Sequence, residues 1–215
     1  MKEVFLQGLA VMNLELSNDA VEKQLQFLDE LLRWNKKINL TSVRNRDEAV
    51  EKHLLDSLFI LDLVGGSSSV LDVGSGGGLP GIPLAIADRC LTVTSVDSVG
   101  KKINFQKHIK RMLNLNNFQA LHTRIEDLGT LGSDPVVFDV AVTRAFSSLE
   151  TIFDVISPSV ISGGKIIAMK GPEGVDEIRG VESYLSMYGL TRIEVKRYQL
   201  PFSNAERHTI IAHKK

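Results

Sequence analysis

Of the 215 residues one is cysteine, Cys90, and six are proline. A single thiol excludes an internal disulfide framework and cannot supply a cysteine-rich zinc site, so a reducing cytoplasm is the natural setting. No apolar stretch approaches the roughly 20 residues that a bilayer crossing requires. The opening MKEVFLQGLAVMNLEL carries Glu3 and has neither a basic leader nor a small-residue cleavage site, so it does not read as a signal peptide and a soluble chain is expected. An excess of charge of one sign is missing too: 25 Lys and Arg face 26 Asp and Glu, for a net charge of −1. That balance argues against a chain that coats nucleic acid nonspecifically. Residues 1–66 hold 8 cations against 11 anions and the remainder 17 against 15, so neither part is a basic arm. Lys101, Lys102, Lys107, Lys110 and Arg111 are the local exception, a solvated helix face or an RNA-facing one. His53, His108, His122, His208 and His213 are scattered without metal-ligand spacing. No metal is expected, and each imidazole is expected to be satisfied or exposed.

What is present is an ordinary globular complement, 43% hydrophobic and 24% charged. It can bury one substantial core with roughly 60 residues left for an appendage. Over residues 18–34, Val21, Leu25, Leu28, Leu31 and Leu32 recur at spacings of three and four behind Ser17-Asn18-Asp19, which predicts a capped amphipathic helix. A second helix is predicted over 46–64, with Val50, Leu54, Leu55, Leu58 and Leu61 on one face and Asn45 or Asp47 at its start. The run Gly65-Gly66-Ser67-Ser68-Ser69 breaks the pattern. It sets the expected boundary between a small helical region, 1–66, and a second domain, 67–215. Beyond it, β-branched runs at 70–73, 92–96, 118–121, 136–143 and 165–169 alternate with helical patterns at 82–87, 101–113 and 149–156. Such alternation predicts a parallel α/β sheet with right-handed crossovers. Residues 190–198 and 207–213 read as two strands joined by a loop, an antiparallel hairpin that ends the sheet.

Leu71-Asp72-Val73-Gly74-Ser75-Gly76-Gly77-Gly78 is an apolar strand running into Gly-x-Gly-x-Gly, followed by Leu79-Pro80-Gly81-Ile82-Pro83, where proline suits a helix's first turn. Glycine is needed where a side chain would keep the backbone off a ligand. Asp97 ends the next strand about twenty residues on, where a carboxylate accepts hydrogen bonds from a ribose diol. A nucleoside site at the carboxyl edge of the sheet follows. Gly76-x-Gly78-x-x-Gly81 satisfies a dinucleotide fingerprint literally, but a turn that begins at Gly74 puts Leu79 where the third glycine of that fingerprint belongs. With Asp72 ahead of the glycines, the segment resembles the class I, Rossmann-like methyltransferases that bind S-adenosylmethionine. A dinucleotide and a purely structural turn stay open beside it.

The segment after the fourth expected strand reads Val142-Thr143-Arg144-Ala145-Phe146-Ser147. It contains no Asn/Asp-Pro-Pro-aromatic signature, so methylation of an exocyclic amine is disfavoured. Carbon-5 methylation of a pyrimidine needs a thiolate, and Cys90, expected to be a packed small hydrophobe, falls at the far end of the first crossover helix. A ring nitrogen with a free lone pair, such as guanine N7, needs neither base nor covalent catalyst; alignment and exclusion of water supply most of the acceleration. Phe146 can stack on a flipped base while Arg144 contacts O6 or a phosphate. A surface ion pair for Arg144 and a core role for Phe146 are the plain alternatives.

Several segments together closely resemble the bacterial small-subunit ribosomal RNA methyltransferase G family, long called glucose-inhibited division protein B. They are Trp34-Asn35-Lys36-Lys37-Ile38-Asn39-Leu40-Thr41-Ser42-Val43-Arg44, His53-Leu54-Leu55-Asp56-Ser57, the glycine loop with Leu79-Pro80-Gly81, and Val96-Asp97-Ser98 with Lys101-Lys102. Thr143-Arg144-Ala145-Phe146, Met169-Lys170-Gly171 and Glu206-Arg207-His208 complete the set, which spans about residues 30–213. The resemblance implies methyl transfer from S-adenosylmethionine to guanine N7 in 16S ribosomal RNA near the decoding region, with the RNA or the small subunit as partner. It implies a cofactor site of Gly74, Gly76, Gly78, Leu79, Ile125, Glu126 and Arg144, with Asp97 on the ribose. Arg144, Arg124 and Lys170 are the expected catalytic group, and Asn39, Arg44, Phe146 and Arg207 the expected RNA contacts. Gly77 departs from the family, which often carries proline in the middle of the loop, and should loosen it slightly. A cytoplasmic monomer is expected. A methyltransferase of protein or small molecules, a nicotinamide oxidoreductase and a noncatalytic RNA scaffold are the competing readings.

Overall fold

The structure, a computed structural model, describes residues 1–67, 69–130 and 136–215. Ser68, inside the expected boundary run, lies outside the described residues. Helices α1 (Lys2–Val11), α2 (Asn18–Ile38) and α3 (Arg46–Ala49) open the chain, followed by a π-helical stretch, Val50–Leu55, and by α4 (Asp56–Leu58) and α5 (Leu61–Val64). Strand β1 (Ser69–Val73), α6 (Gly81–Ala87), β2 (Thr92–Asp97), α7 (Gly100–Leu113), β3 (Phe118–His122), β4 (Phe138–Arg144), α8 (Leu149–Ile156) and β5 (Val160–Lys170) follow. The short helix α9 (Ile178–Val181) and strands β6 (Leu190–Gln199) and β7 (Glu206–Lys214) end it.

The caps are those that the side chains dictate. Ser17 Oγ accepts the Ala20 N–H at 3.2 Å to open α2, which ends on Asn39 in the left-handed region at φ 48°. Asn45 Oδ1 accepts the Asp47 and Glu48 N–H groups at 2.9 and 3.0 Å to open α3. The predicted helix over 46–64 is not continuous: it widens to a π turn at Val50–Leu55 and breaks between Leu58 and Leu61. Helix α1, not anticipated from sequence, packs on that π turn, where a Cβ on Gly8 would lie 2.2 Å from Leu55 Cδ1.

The seven strands form one sheet in the order β3-β2-β1-β4-β5-β7-β6, parallel up to β5, with β7 antiparallel to both β5 and β6. The terminal hairpin expected from sequence is therefore present and extends the parallel sheet. Side chains alternate across it: Val70, Val93, Val140 and Ile211 join α2, α6 and α7 on one face, and Leu71, Val96, Ile166 and Ile210 join α8 on the other. Residues of α1, α2 and the π turn belong to the first of these hydrophobic clusters, so the amino-terminal helices share their core with the sheet. Register fixes the site: Val73 pairs with Val96 and with Thr143, which sets Gly74, Asp97 and Arg144 in a row at the carboxyl edge. Cys90 departs from expectation, being exposed in the turn before β2, at the opposite edge, where an Asp88 carboxylate holds its N–H.

Candidate active site

The chain leaves β1 through three glycines with positive φ, Gly74 at 66°, Gly76 at 56° and Gly78 at 83°, which favours residues without a Cβ. The turn is tied to β2 by Gly74 N–H on the Val96 carbonyl, 3.0 Å, and by Gly76 N–H on Asp97 Oδ2, 2.9 Å. Asp97 Oδ1 accepts the Val99 N–H at 2.8 Å, so one buried carboxylate fixes both loops and keeps lone pairs for a ligand. Gln106 of α7 threads the same turn from below: its amide donates to Ser75 Oγ at 2.7 Å and to the Gly76 carbonyl at 2.9 Å, and its oxygen accepts from Ser95. Gln106 escaped the sequence analysis, although a polar residue on the inward stripe Ile103, Ile109, Leu113 was a signal for it. The Leu79–Pro80 peptide is cis and Pro80 caps α6. Asp72, wholly buried, accepts the Gly81 N–H at 2.9 Å; burial pushes its carboxyl up to about 7, opposed by the Gly81 bond and the Arg144 charge.

A cavity of about 320 Å³ opens at this edge. Gly74, Asp97, Ile125 and Glu126, expected at the cofactor, and Arg124 and Phe146, expected as catalytic and RNA-contacting residues, line it, together with Ser98, Val99, Lys102 and Thr123, to which no cofactor role was assigned from sequence. Gly76, Gly78 and Leu79 do not line it; they shape the turn, with Leu79 buried and its N–H on the Ser75 carbonyl at 2.9 Å. A Cβ on Gly74 would meet the Phe146 ring at 2.5 Å, so glycine is what lets that ring close over the loop. A polar end with the Asp97 carboxylate and an apolar wall of Val96, Val99, Ile125 and Phe146 fit the ribose and adenine of S-adenosylmethionine.

Arg144 does not line the cavity. Its guanidinium donates to the Lys52 carbonyl at 2.8 Å and to Asp56 Oδ2 at 3.3 Å, bolting the end of β4 to the π turn. Asp56 also accepts from the Tyr198 hydroxyl at 2.8 Å and lies 3.7 Å from Arg207 Nε, so two expected RNA-facing arginines meet on one buried carboxylate. Burial, then the Asp56 charge, pushes the Tyr198 hydroxyl far up and keeps it a donor. Lys170 is engaged as well, by the Ser147 carbonyl and by Glu177 at 2.9 and 3.1 Å. Arg124 is exposed on the cavity rim, and its guanidinium makes no hydrogen bond among the described residues. Asn39 and Arg44 lie apart, in a second cavity of about 1040 Å³ with Arg33, Lys36 and Arg46. Leu40, in the same wall, and Leu31 approach Gly77 of the glycine turn, a Cβ there lying 3.7 and 2.7 Å from them.

This strand order, with a nucleoside-shaped cavity at the switch between β1 and β4, places the molecule among the Rossmann-like methyltransferases that use S-adenosylmethionine. Residues 20–210 match the model of the family described as GidB, rRNA small subunit methyltransferase G, and the chain belongs to that family. It is 41% identical over 207 residues to the ribosomal RNA small subunit methyltransferase G of Syntrophotalea carbinolica, covering 96% of this chain and 95% of that one. The protein of the same name from Francisella philomiragia is 40% identical over 215 residues, covering 100% and 98%. Among solved structures, an O-methyltransferase from Bacillus cereus in complex with SAH shares the fold at TM-score 0.62 and 17% identity, over 100% of both chains. An rRNA methylase from Streptococcus thermophilus does so at TM-score 0.52 and 16% identity, over 74% of this chain and 94% of that one.

Proposed function

We propose that this enzyme transfers the methyl group of S-adenosylmethionine to N7 of a guanine in 16S ribosomal RNA near the decoding region. The family match over residues 20–210 carries the reading. Two features of the site support the choice of atom. Neither thiol nor imidazole lines the cavity, and Cys90 stands at the opposite edge of the sheet, so a covalent route through cysteine has no nucleophile here. When bound, S-adenosylmethionine would supply an electrophilic methyl on a sulfonium, which a ring lone pair such as that of N7 could accept without losing a proton. The protein's task is then to orient and desolvate. Of the cavity's lining, Asp97 and the Gly74 backbone would hold the nucleoside end, Ile125 and Glu126 would flank the adenine, and Phe146 would close the mouth. Arg144 and Arg207 on Asp56, with Arg124 at the rim, supply cations for the RNA backbone. The proposal includes a monomer acting in the cytoplasm, on the RNA or on the small subunit; no helix among the described residues is long and apolar enough to cross a membrane.

The test incubates the enzyme with tritiated S-adenosylmethionine and unmodified small subunits, then maps label by nuclease digestion and mass spectrometry. Label on one guanine as 7-methylguanosine is expected, with Arg144→Ala slowing it about tenfold or more. Label on another atom, or none while S-adenosylhomocysteine still raises Tm, overturns the substrate and leaves the cofactor standing.

A further inference from the structure

The chain between β4 and α8 carries Phe146 to the cavity wall, and it does so under constraint. Ala145 sits at φ 52°, a region that a residue with a Cβ rarely adopts and holds only when its surroundings impose it. The surroundings are two groups on a segment remote in sequence. Lys170 Nζ, largely buried at the end of β5, donates to the Ser147 carbonyl, one residue beyond Phe146. Glu177, the residue before α9, takes that ammonium at 2.9 and 3.1 Å, and its Oε2 also accepts the Leu149 N–H at 2.6 Å, in the first turn of α8. The loop is thus gripped on both sides of Ser148. A Cβ on Gly174 would lie 2.4 Å from Lys170 Cβ, so the 172–177 segment packs directly on the lysine stem.

We infer that Glu177, acting through Lys170 and the Leu149 N–H, is a positioning residue that sets the β4–α8 loop so that Phe146 stands over Gly74 and completes the cofactor cavity. Charge neutralisation follows from the same pairing. A lysine bound on two sides inside the fold has no donor aimed at substrate, so its part in methyl transfer is to hold the loop. The half-exposed carboxylate compensates a cation that would be costly to leave unpaired in its largely buried place.

The inference rests on S-adenosylmethionine as cofactor and, for its kinetic arm only, on the proposed RNA substrate. Calorimetry with S-adenosylhomocysteine and turnover at saturating substrate are measured well below Tm for Glu177→Ala, Phe146→Ala and the double variant. Glu177→Ala should weaken S-adenosylhomocysteine about fivefold and lower kcat about tenfold to a hundredfold, since small misplacements at a reacting centre cost that much. Phe146→Ala should give a matching loss, and the double variant should be no worse than the worse single, because both act through one ring. Glu177→Gln, whose amide oxygen can stand in for Oε2, should fall between Glu177→Ala and the parent. Losses that multiply in the double variant, or a Glu177→Ala that lowers Tm with Kd and kcat within about twofold, would overturn the role. If the parent binds S-adenosylhomocysteine but labels no guanine, the substrate proposal fails while the calorimetric comparison still decides this one.

Discussion

Asp72 and His53 are both buried and each keeps one polar atom, Oδ1 and Nδ1, without a hydrogen-bond partner among the described residues. Their acidities move in opposite directions for the same cause. Burial, against the Gly81 N–H and the Arg144 charge, raises the Asp72 carboxyl from 3.8 to about 7. Burial, with help from the Arg144 charge, lowers the His53 imidazole from 6.5 to about 4. Between pH 3.8 and about 7 folded Asp72 holds a proton that the unfolded chain has lost, so its contribution to stability falls as pH rises through that window. Between pH 6.5 and about 4 the unfolded chain holds the His53 proton and the folded one does not, so that contribution falls as pH drops. The two slopes oppose each other across most of the same range. Melting curves of the parent, Asp72→Asn and His53→Gln over this range should separate them: Asp72→Asn gains on the parent as pH rises, and His53→Gln gains as pH falls. Parallel profiles for all three would sink the assignment. Asp72 was legible as the acid ahead of the glycines; the burial of His53, whose Nε2 meets Thr41 Oγ1 at 2.8 Å, was not, because a scattered histidine reads as satisfied or exposed until packing shows what covers it.

At the scale of elements, the parallel strands were legible as short, nearly continuous apolar runs, α7 and α8 as helices that bury one stripe, and the closing hairpin as two β-branched runs joined by a loop. The amino-terminal helices were less so. In the 46–64 segment the apolar face Val50, Leu54, Leu55 and Leu58 was correct, but Glu51, His53 and Asp56 on the other side are buried too. That side of the segment, on which the apolar pattern is silent, meets Arg144, Tyr198 and the β6–β7 turn, contacts made by chain about 90 to 150 residues away. The π turn that presents them has no periodic signature, and π turns are frequent at functional sites. Helix α1 was hidden by Gly8, a poor helix former whose reason, the Leu55 methyl against it, is tertiary. Glu51 gives this scale its prediction. Its Oε1 accepts the N–H groups of Phe202 and Ser203 at 2.7 and 2.8 Å, pinning the hairpin turn to the π turn. Glu51→Ala should lower urea-measured stability by about 1–3 kcal/mol, the usual range for removing a buried charged acceptor from two backbone donors. A loss below about 0.5 kcal/mol would mean that water replaces the carboxylate at no cost.

For the whole molecule the formal charge of −1 concealed a local asymmetry. The cavity between the end of α2 and residues 39–46 gathers Arg33, Lys36, Arg44 and Arg46 against a single acid, Asp29. Arg33 is paired with Glu30 and Arg46 with Asp29, whereas Lys36 and Arg44 have no ion-pair partner among the described residues. Because Leu40 of this wall approaches Gly77, the groove adjoins the glycine turn, and on the proposed RNA path one strand would cross both with a guanine turned toward Phe146. Asn39, in the left-handed C-cap of α2, has a structural reason to be there and is the weaker candidate for contact. Phosphate contacts release counterions, so each should appear in the salt dependence of binding. Arg44→Ala and Lys36→Ala should each reduce the slope of log K against log salt by about 0.7 on single-stranded substrate, uniformly across sequences. Neither should change the affinity for S-adenosylhomocysteine, whose cavity they do not line. An unchanged slope in both variants would move the RNA path off this groove and leave Arg124, Arg144 and Arg207 at the sheet edge as its anchor.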